Sequence, residues 1–285
     1  MTTLSRRAFA GVIASSVAAP AAAAALNHGG RASEPQGREY NVERPSEGPK
    51  PKVAMLLYPG LTLFDLIAPQ TALAPTSDIY LVWKNTDLVA SDSGVVLKPD
   101  TSFDDCPRDL DVLFVPGGPG QAAVMRDAET LHFLADRGAR AKYVTSVCSG
   151  ALVLGAAGLL QGYEAGTHWA ALRLLPLFGA TPVDQRVVID RNRISGGGVT
   201  AGLDFGLTLV AKLAGERTAK VQQLAMQYDP QPPFDVGVPA KAGPELTKEA
   251  IVWMKSGGID MLDVSQQAAK AMRNYTRAEV PVLPQ

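Results

Sequence analysis

Tyr143-Val144-Thr145-Ser146-Val147-Cys148-Ser149-Gly150-Ala151 decides how this chain is read. An apolar strand runs straight into a cluster of small residues that opens a helix, which is the form of a nucleophile elbow. The turn after such a strand is tight, so small neighbours let the side chain at its apex project outward. A cysteine there also lies near the positive end of a helix dipole, which predicts a lowered thiol pKa. A buried core cysteine would leave the same local pattern.

Working outward, Val53–Tyr58 is a continuous apolar run that ends in Pro59-Gly60, and Asp111–Val115 ends in Pro116-Gly117-Gly118. Unbroken apolar runs of this length predict strands buried on both faces of a parallel sheet. Ile79–Trp83 reads as another strand, after a helical segment over Phe64–Leu73. Helical patterns over 122–141, 201–213 and 217–228 complete an alternation of strand and helix. The fold class that follows is α/β, a mostly parallel sheet with helices on both faces. In such sheets the site lies beyond the carboxyl ends of the strands. Leu88–Leu97, broken at Ser93-Gly94, predicts a hairpin added to the sheet edge, and Val187–Ser195, turned at Arg191-Asn192, predicts a second hairpin.

The flanks have a different character. Ser5-Arg6-Arg7-Ala8-Phe9 precedes an alanine-rich apolar run from Val12 to Leu26, the pattern of a twin-arginine signal peptide over residues 1–26 and hence of a periplasmic or secreted protein. That run is dominated by alanine and serine and is short for a stable membrane span. Residues 27–51, rich in glycine and proline, read as a flexible linker. The α/β domain is then expected over 52–235, closed by Pro230, Pro232 and Pro233, with a helical extension over 236–285.

The chain has 27 Lys and Arg against 28 Asp and Glu, a formal net charge of -1. Nothing in that balance draws it to nucleic acid or an anionic membrane, and a small uncharged substrate is the better expectation. The two cysteines, Cys106 and Cys148, lie in unlike settings and suggest no disulfide framework. The three histidines show no metal-ligand spacing, so no metal is expected.

Five further positions can carry chemistry if the sheet brings them to Cys148. Asp65, between Phe64 and Leu66, is either an N-cap or a carboxyl pressed inward, where desolvation raises its pKa toward neutrality. Gly117 and Gly118 follow a strand and are candidates to aim backbone N–H groups at developing negative charge. His168, in Gly166-Thr167-His168-Trp169, opens a helix and would serve a cysteine hydrolase if paired with Cys148. Gly197, in Ser195-Gly196-Gly197-Gly198, is a candidate pocket wall or simply a tight strand end.

Together, the first strand with Leu63–Pro69, the Pro116-Gly117-Gly118 loop, Val147-Cys148-Ser149-Gly150, Thr167-His168-Trp169 and Gly197–Gly202 resemble the PfpI-like branch of the class I glutamine amidotransferase superfamily. The similarity spans about residues 52–235, and within the branch it is strongest to the isonitrile hydratases. The resemblance implies a flavodoxin-like sandwich, a homodimer, no cofactor, and hydration of R–N≡C to an N-substituted formamide. It assigns the nucleophile to Cys148, the acid/base carboxyl to Asp65, and a catalytic hydroxyl to Ser149, where these hydratases carry threonine. Ligand-sensing domains of transcription regulators share the pattern, but the 50-residue tail is not basic enough or long enough for a DNA-binding domain. A thiol-based sensor of oxidants and a cysteine amidohydrolase or peptidase stand as alternatives.

Overall fold

In a computed structural model, which describes residues 48–256 and 261–278, the chain alternates strand and helix from its first described element. The signal peptide and most of the linker expected from the sequence lie outside the described residues. In chain order come β1 (Lys52–Leu56), α1 (Leu63–Leu73), β2 (Asp78–Trp83), β3 (Val89–Ala90), β4 (Val96–Leu97), β5 (Thr101–Ser102) and β6 (Val112–Val115). α2 (Gln121–Val124), α3 (Ala128–Gly138), β7 (Tyr143–Val147), α4 (Gly150–Ala156) and β8 (Glu164–Ala165) follow. A 3-10 helix (Trp169–Phe178), β9 (Thr181–Pro182), β10 (Val187–Asp190), β11 (Arg193–Gly196), α5 (Ala201–Ala214), α6 (Glu216–Ala225), α7 (Pro239–Ser256) and α8 (Leu262–Ala278) complete the described chain.

Seven strands form the main sheet in the order β10-β11-β7-β6-β1-β2-β5. Every pairing is parallel except β10 with β11. The residues of β6 are all buried, as are Val53–Leu56 of β1 and Val144–Val147 of β7, which is why β1 and β6 read as unbroken apolar runs and β7 carries only the small polar residues Thr145 and Ser146 between its valines. Strand order reverses between β1 and β6, so the loops that leave them diverge and open a crevice at their carboxyl ends. β7 is the next strand over, and Cys148 immediately follows it.

Helices pack in two groups. α1 lies against α5, and α4 lies against α3, the 3-10 helix and α8. Phe114 of β6 meets Phe205 of α5 at 5.6 Å between ring centroids, joining sheet to helix layer. Each such fully buried side chain contributes roughly 1.5–3 kcal/mol.

One expectation is corrected. The Leu88–Leu97 hairpin does form, as β3 and β4, but it is a separate two-stranded sheet and not an edge of the main one. Its residues fold over the β1–α1 loop, with Gly60 N donating to Ala90 O at 2.8 Å and Asp92 N to Leu61 O at 2.9 Å. The edge is instead the two-residue β5. Cys106 lies in the loop between β5 and β6 and is buried, and its carbonyl accepts from the Arg137 guanidinium. Both cysteines are free thiols.

The C-terminal helices differ from each other. α8 buries Val264, Ala268, Ala269 and Met272 in the main hydrophobic core. α7, kinked at Gly243, keeps Leu246, Val252 and Trp253 exposed. Among the described residues no helix is long and apolar enough to cross a membrane.

Candidate active site

Cys148 has φ +55, a left-handed conformation that side-chain-bearing residues adopt reluctantly. Neighbouring groups hold it there. Its N–H donates to the carbonyls of Gly197, at 2.7 Å, and Gly196, at 3.2 Å. Its own carbonyl accepts the Thr167 hydroxyl at 2.7 Å. Strain of this kind, of order 1–3 kcal/mol, persists only where the surroundings over-determine it.

Asp65 comes to the same place from α1. It is completely buried, and its Oδ2 accepts the Gly117 N–H at 2.9 Å. The carboxyl does not cap its own helix; the turn is capped from outside, by Asp92. Asp65 and Cys148 lie within side-chain hydrogen-bonding reach, and each acts on the other's proton. Among the described residues Oδ1 has no hydrogen-bond partner. Burial raises the Asp65 pKa to about 7, against the opposing effects of the Gly117 amide and the thiol.

Cys148 departs from the sequence expectation. Burial pushes its thiol well above the usual range, and the neighbouring Asp65 carboxyl pushes it further. The Ser149 amide and hydroxyl act in the opposite direction and do not overcome these effects. The helix-dipole argument fails because α4 is only seven residues long and the thiol is buried beside a carboxyl. The resting pair is therefore a neutral thiol beside a carboxyl that exchanges its proton near neutrality.

The glycine loop has a different role from the one expected. The Gly117 amide is engaged by Asp65, and the Gly118 amide donates to Ser149 Oγ at 3.1 Å. Both position side chains, where a direct appeal to a ligand's negative charge was expected. A Cβ on Gly117 would lie 2.6–2.8 Å from Ser149 N, Ser149 Oγ and Asp65 Oδ2, so the close approach requires glycine. Gly118 has φ +137, and a Cβ there would overlap the backbone of Thr62. Ser149 Oγ accepts from Gly118, and its hydroxyl acts to lower the Cys148 pKa, the effect of a proton donated toward the sulfur.

His168 lines the neighbouring wall. Its Nδ1 accepts from Ala170 N at 3.3 Å, capping the 3-10 helix, and its ring lies beside Gly198. Burial lowers its pKa, which favours the neutral imidazole. No hydrogen bond joins it to Cys148 among the described residues. Gly197 contributes its carbonyl to the Cys148 amide and donates its own N–H to Arg186 O at 2.9 Å, so it acts as backbone support.

Three residues were missed from the sequence. Thr167 lies in the quoted triplet, yet its clamp on the Cys148 carbonyl depends on tertiary placement. Tyr58, at the end of the first apolar run, donates its buried hydroxyl to Pro116 O at 2.9 Å and so ties β1 to the glycine loop. Asp92 looks in sequence like ordinary turn chemistry. Among the described residues no group of three or more His, Cys, Asp or Glu side chains is arranged to hold a metal ion.

The DJ-1/PfpI family model matches residues 51–212. An isonitrile hydratase of Pseudomonas putida is 51% identical over 201 residues, covering 70% of this chain and 88% of the relative. The transcriptional regulator GbdR of Pseudomonas aeruginosa is 34% identical over 139 residues, 47% of this chain but only 37% of the regulator. Among solved structures, a THiJ/PfpI family protein from Pseudomonas syringae superposes with a TM-score of 0.74 at 47% identity, covering 84% of this chain and 97% of that one.

Proposed function

This chain belongs to the DJ-1/PfpI family, and from that premise we propose that it hydrates a small uncharged isonitrile to an N-substituted formamide, with Cys148 as nucleophile. The observation that carries the reading is the buried pair of Cys148 and Asp65, with the carboxyl poised at about 7.

An isonitrile carbon must gain both a nucleophile and a proton, and the pair supplies both. Asp65, as carboxylate, accepts the thiol proton while sulfur bonds to the isonitrile carbon. The same proton passes from Asp65 to that carbon, giving the thioimidate R–N=CH–S–Cys148. Ser149 steadies charge on sulfur through its amide and hydroxyl. Water then adds to the C=N carbon, one of its protons passing through the Asp65 carboxylate to nitrogen, and Asp65 next takes the remaining hydroxyl proton. The tetrahedral adduct collapses to R–NH–CHO, and the proton held by Asp65 returns to the departing sulfur. Overall one water is added, no electrons are exchanged, and no cofactor enters the balance. A carboxyl that titrates near 7 is suited to accept and return a proton in one turnover.

The alternatives have weaker support. A hydrolase needs an imidazole paired with the thiol, and His168 Nδ1 is turned to its own helix. An oxidant sensor favours a lowered thiol pKa, opposite to the direction at Cys148.

We further infer that the chain is exported by the twin-arginine route, on the strength of residues 1–26, and that it works as a homodimer. Exposed Val221, Leu224, Phe234 and Val252 on α6, α7 and the segment between them support a second copy there.

The test is formation of the formamide from cyclohexyl isocyanide by the purified full-length protein, beside Cys148→Ala. Product from the parent alone is expected. A folded parent with an alkylatable thiol and no product would refute the assignment.

A further inference from the structure

We propose that Asp92 is a positioning residue of this site: from the β3–β4 hairpin it caps α1 from outside and so fixes Asp65 against the Cys148 thiol. The proposal rests on the hydratase reading for its kinetic consequence, though not for its geometry.

α1 begins without a cap of its own. Thr62 occupies the N-cap position, but its hydroxyl makes no capping bond and donates instead to Asp92 Oδ2 at 2.8 Å. Asp92 Oδ1 accepts the N–H of Leu63, the first residue of α1, at 3.3 Å. The Asp92 backbone is itself anchored, its N–H donating to Leu61 O at 2.9 Å. One side chain thus ties the hairpin to both sides of the helix start. Two residues further on is Asp65.

The first turn is also continuous with the glycine loop, because Thr62 N donates to Gly117 O at 2.9 Å and Gly117 N donates to Asp65 Oδ2. Loosening the helix start would therefore shift both the carboxyl and the amide that orients it. Such a small displacement at a reacting group costs rate far more than stability.

Asp92 has an electrostatic effect as well. The positive end of α1 would favour the Asp65 anion, and a second carboxylate at the same end offsets that. The groups that face Asp65 are the Cys148 thiol from the β7–α4 turn, the Tyr58 hydroxyl from the end of β1, and Asp92 from the hairpin. The acid of α5, Asp204, is paired with Arg186. The Asp92 charge acts to raise the Asp65 pKa, so its removal lowers it.

Asp92→Asn keeps an oxygen acceptor for the cap and deletes the charge, whereas Asp92→Ala deletes both. In the full-length protein, kcat/KM for cyclohexyl isocyanide and alkylation of the Cys148 peptide by iodoacetamide are followed from pH 5 to 9. The Asn variant is expected to keep its plateau kcat within about threefold, while the inflection near pH 7, which reports Asp65 as the base that takes the thiol proton, moves down by a few tenths of a unit in both profiles. The Ala variant is expected to lose kcat by 10-fold or more with little change in KM. An unmoved inflection in Asp92→Asn, or a fully active Ala variant, overturns the proposal. If the parent hydrates nothing but the alkylation inflection still moves, the hydratase reading fails and the link from Asp92 to Asp65 stands.

Discussion

Replacing Asp65 by Asn is expected to destroy activity and stabilise the fold, and the second effect depends on pH in a way that tests the site's electrostatics. The folded state holds the Asp65 proton up to about pH 7, whereas the unfolded chain releases it near 3.8. A raised folded pKa gives stability that is complete below the unfolded value and is lost as pH rises through the folded one. A rise of about 3 units corresponds to about 4 kcal/mol as an upper bound. Asn is neutral in both states and keeps an oxygen for the Gly117 amide. The variant is therefore expected to match the parent at pH 4 and to exceed it by roughly 2–4 kcal/mol at pH 8, with most of the gain appearing between pH 5 and 7. Urea unfolding at pH 4, 6 and 8 measures this directly. Turnover should fall by about 10²–10⁴-fold at every pH. An equal stability difference at pH 4 and pH 8 would refute the raised carboxyl pKa, and with it the proton-shuttle step.

Thr167→Val removes the donor to the buried Cys148 carbonyl, at a cost of about 1–3 kcal/mol, and should lower kcat 10- to 100-fold with KM little changed, whereas Thr167→Ser retains most of the rate. Gly118→Ala forces a Cβ into the Thr62 backbone at φ +137, so a loss of 3 kcal/mol or more is expected, on the order seen for strained backbone with overpacking. A melting temperature within a few degrees of the parent would contradict the close approach. Ala269→Asp places a carboxylate in a fully buried position on α8 and should cost several kcal/mol by chemical denaturation.

The parallel core is legible in the sequence because burial on both faces leaves strands that are mostly apolar, with only the small Thr145 and Ser146 as polar residues in their interiors. Val53–Tyr58, Asp111–Val115 and Tyr143–Val147 all announce themselves in this way. β3, β4 and β5 have two residues each, too few to display a period, so their pairing is decided by where the loop between β2 and β6 finds partners. The elbow at Cys148 is local and could be read, whereas Leu63-Phe64-Asp65-Leu66 left capping and burial of Asp65 both open, and the structure takes the second. The direction of the Cys148 pKa could not be read. It depends on a carboxyl brought in by α1, and the local helix dipole pointed the other way. The amides of Gly117 and Gly118 were placed at the right sheet edge, but which side chains would claim them is a tertiary matter. Asp92 is the clearest case, since nothing in Ser91-Asp92-Ser93-Gly94 says that the turn lies over another loop.

The docking of α8 has a consequence for the order in which the molecule can be made. α4, which starts two residues after Cys148, is covered in part by the last described helix of the chain. During synthesis the sheet and the elbow emerge first, and α4 keeps an apolar face bare until residues 262–278 have been added. A product cut short before α8 would contain every residue assigned to the chemistry and still present an unfinished core. Addition of α8, as well as the presence of the reactive groups, is thus a condition for a finished core beneath the helix that follows the elbow.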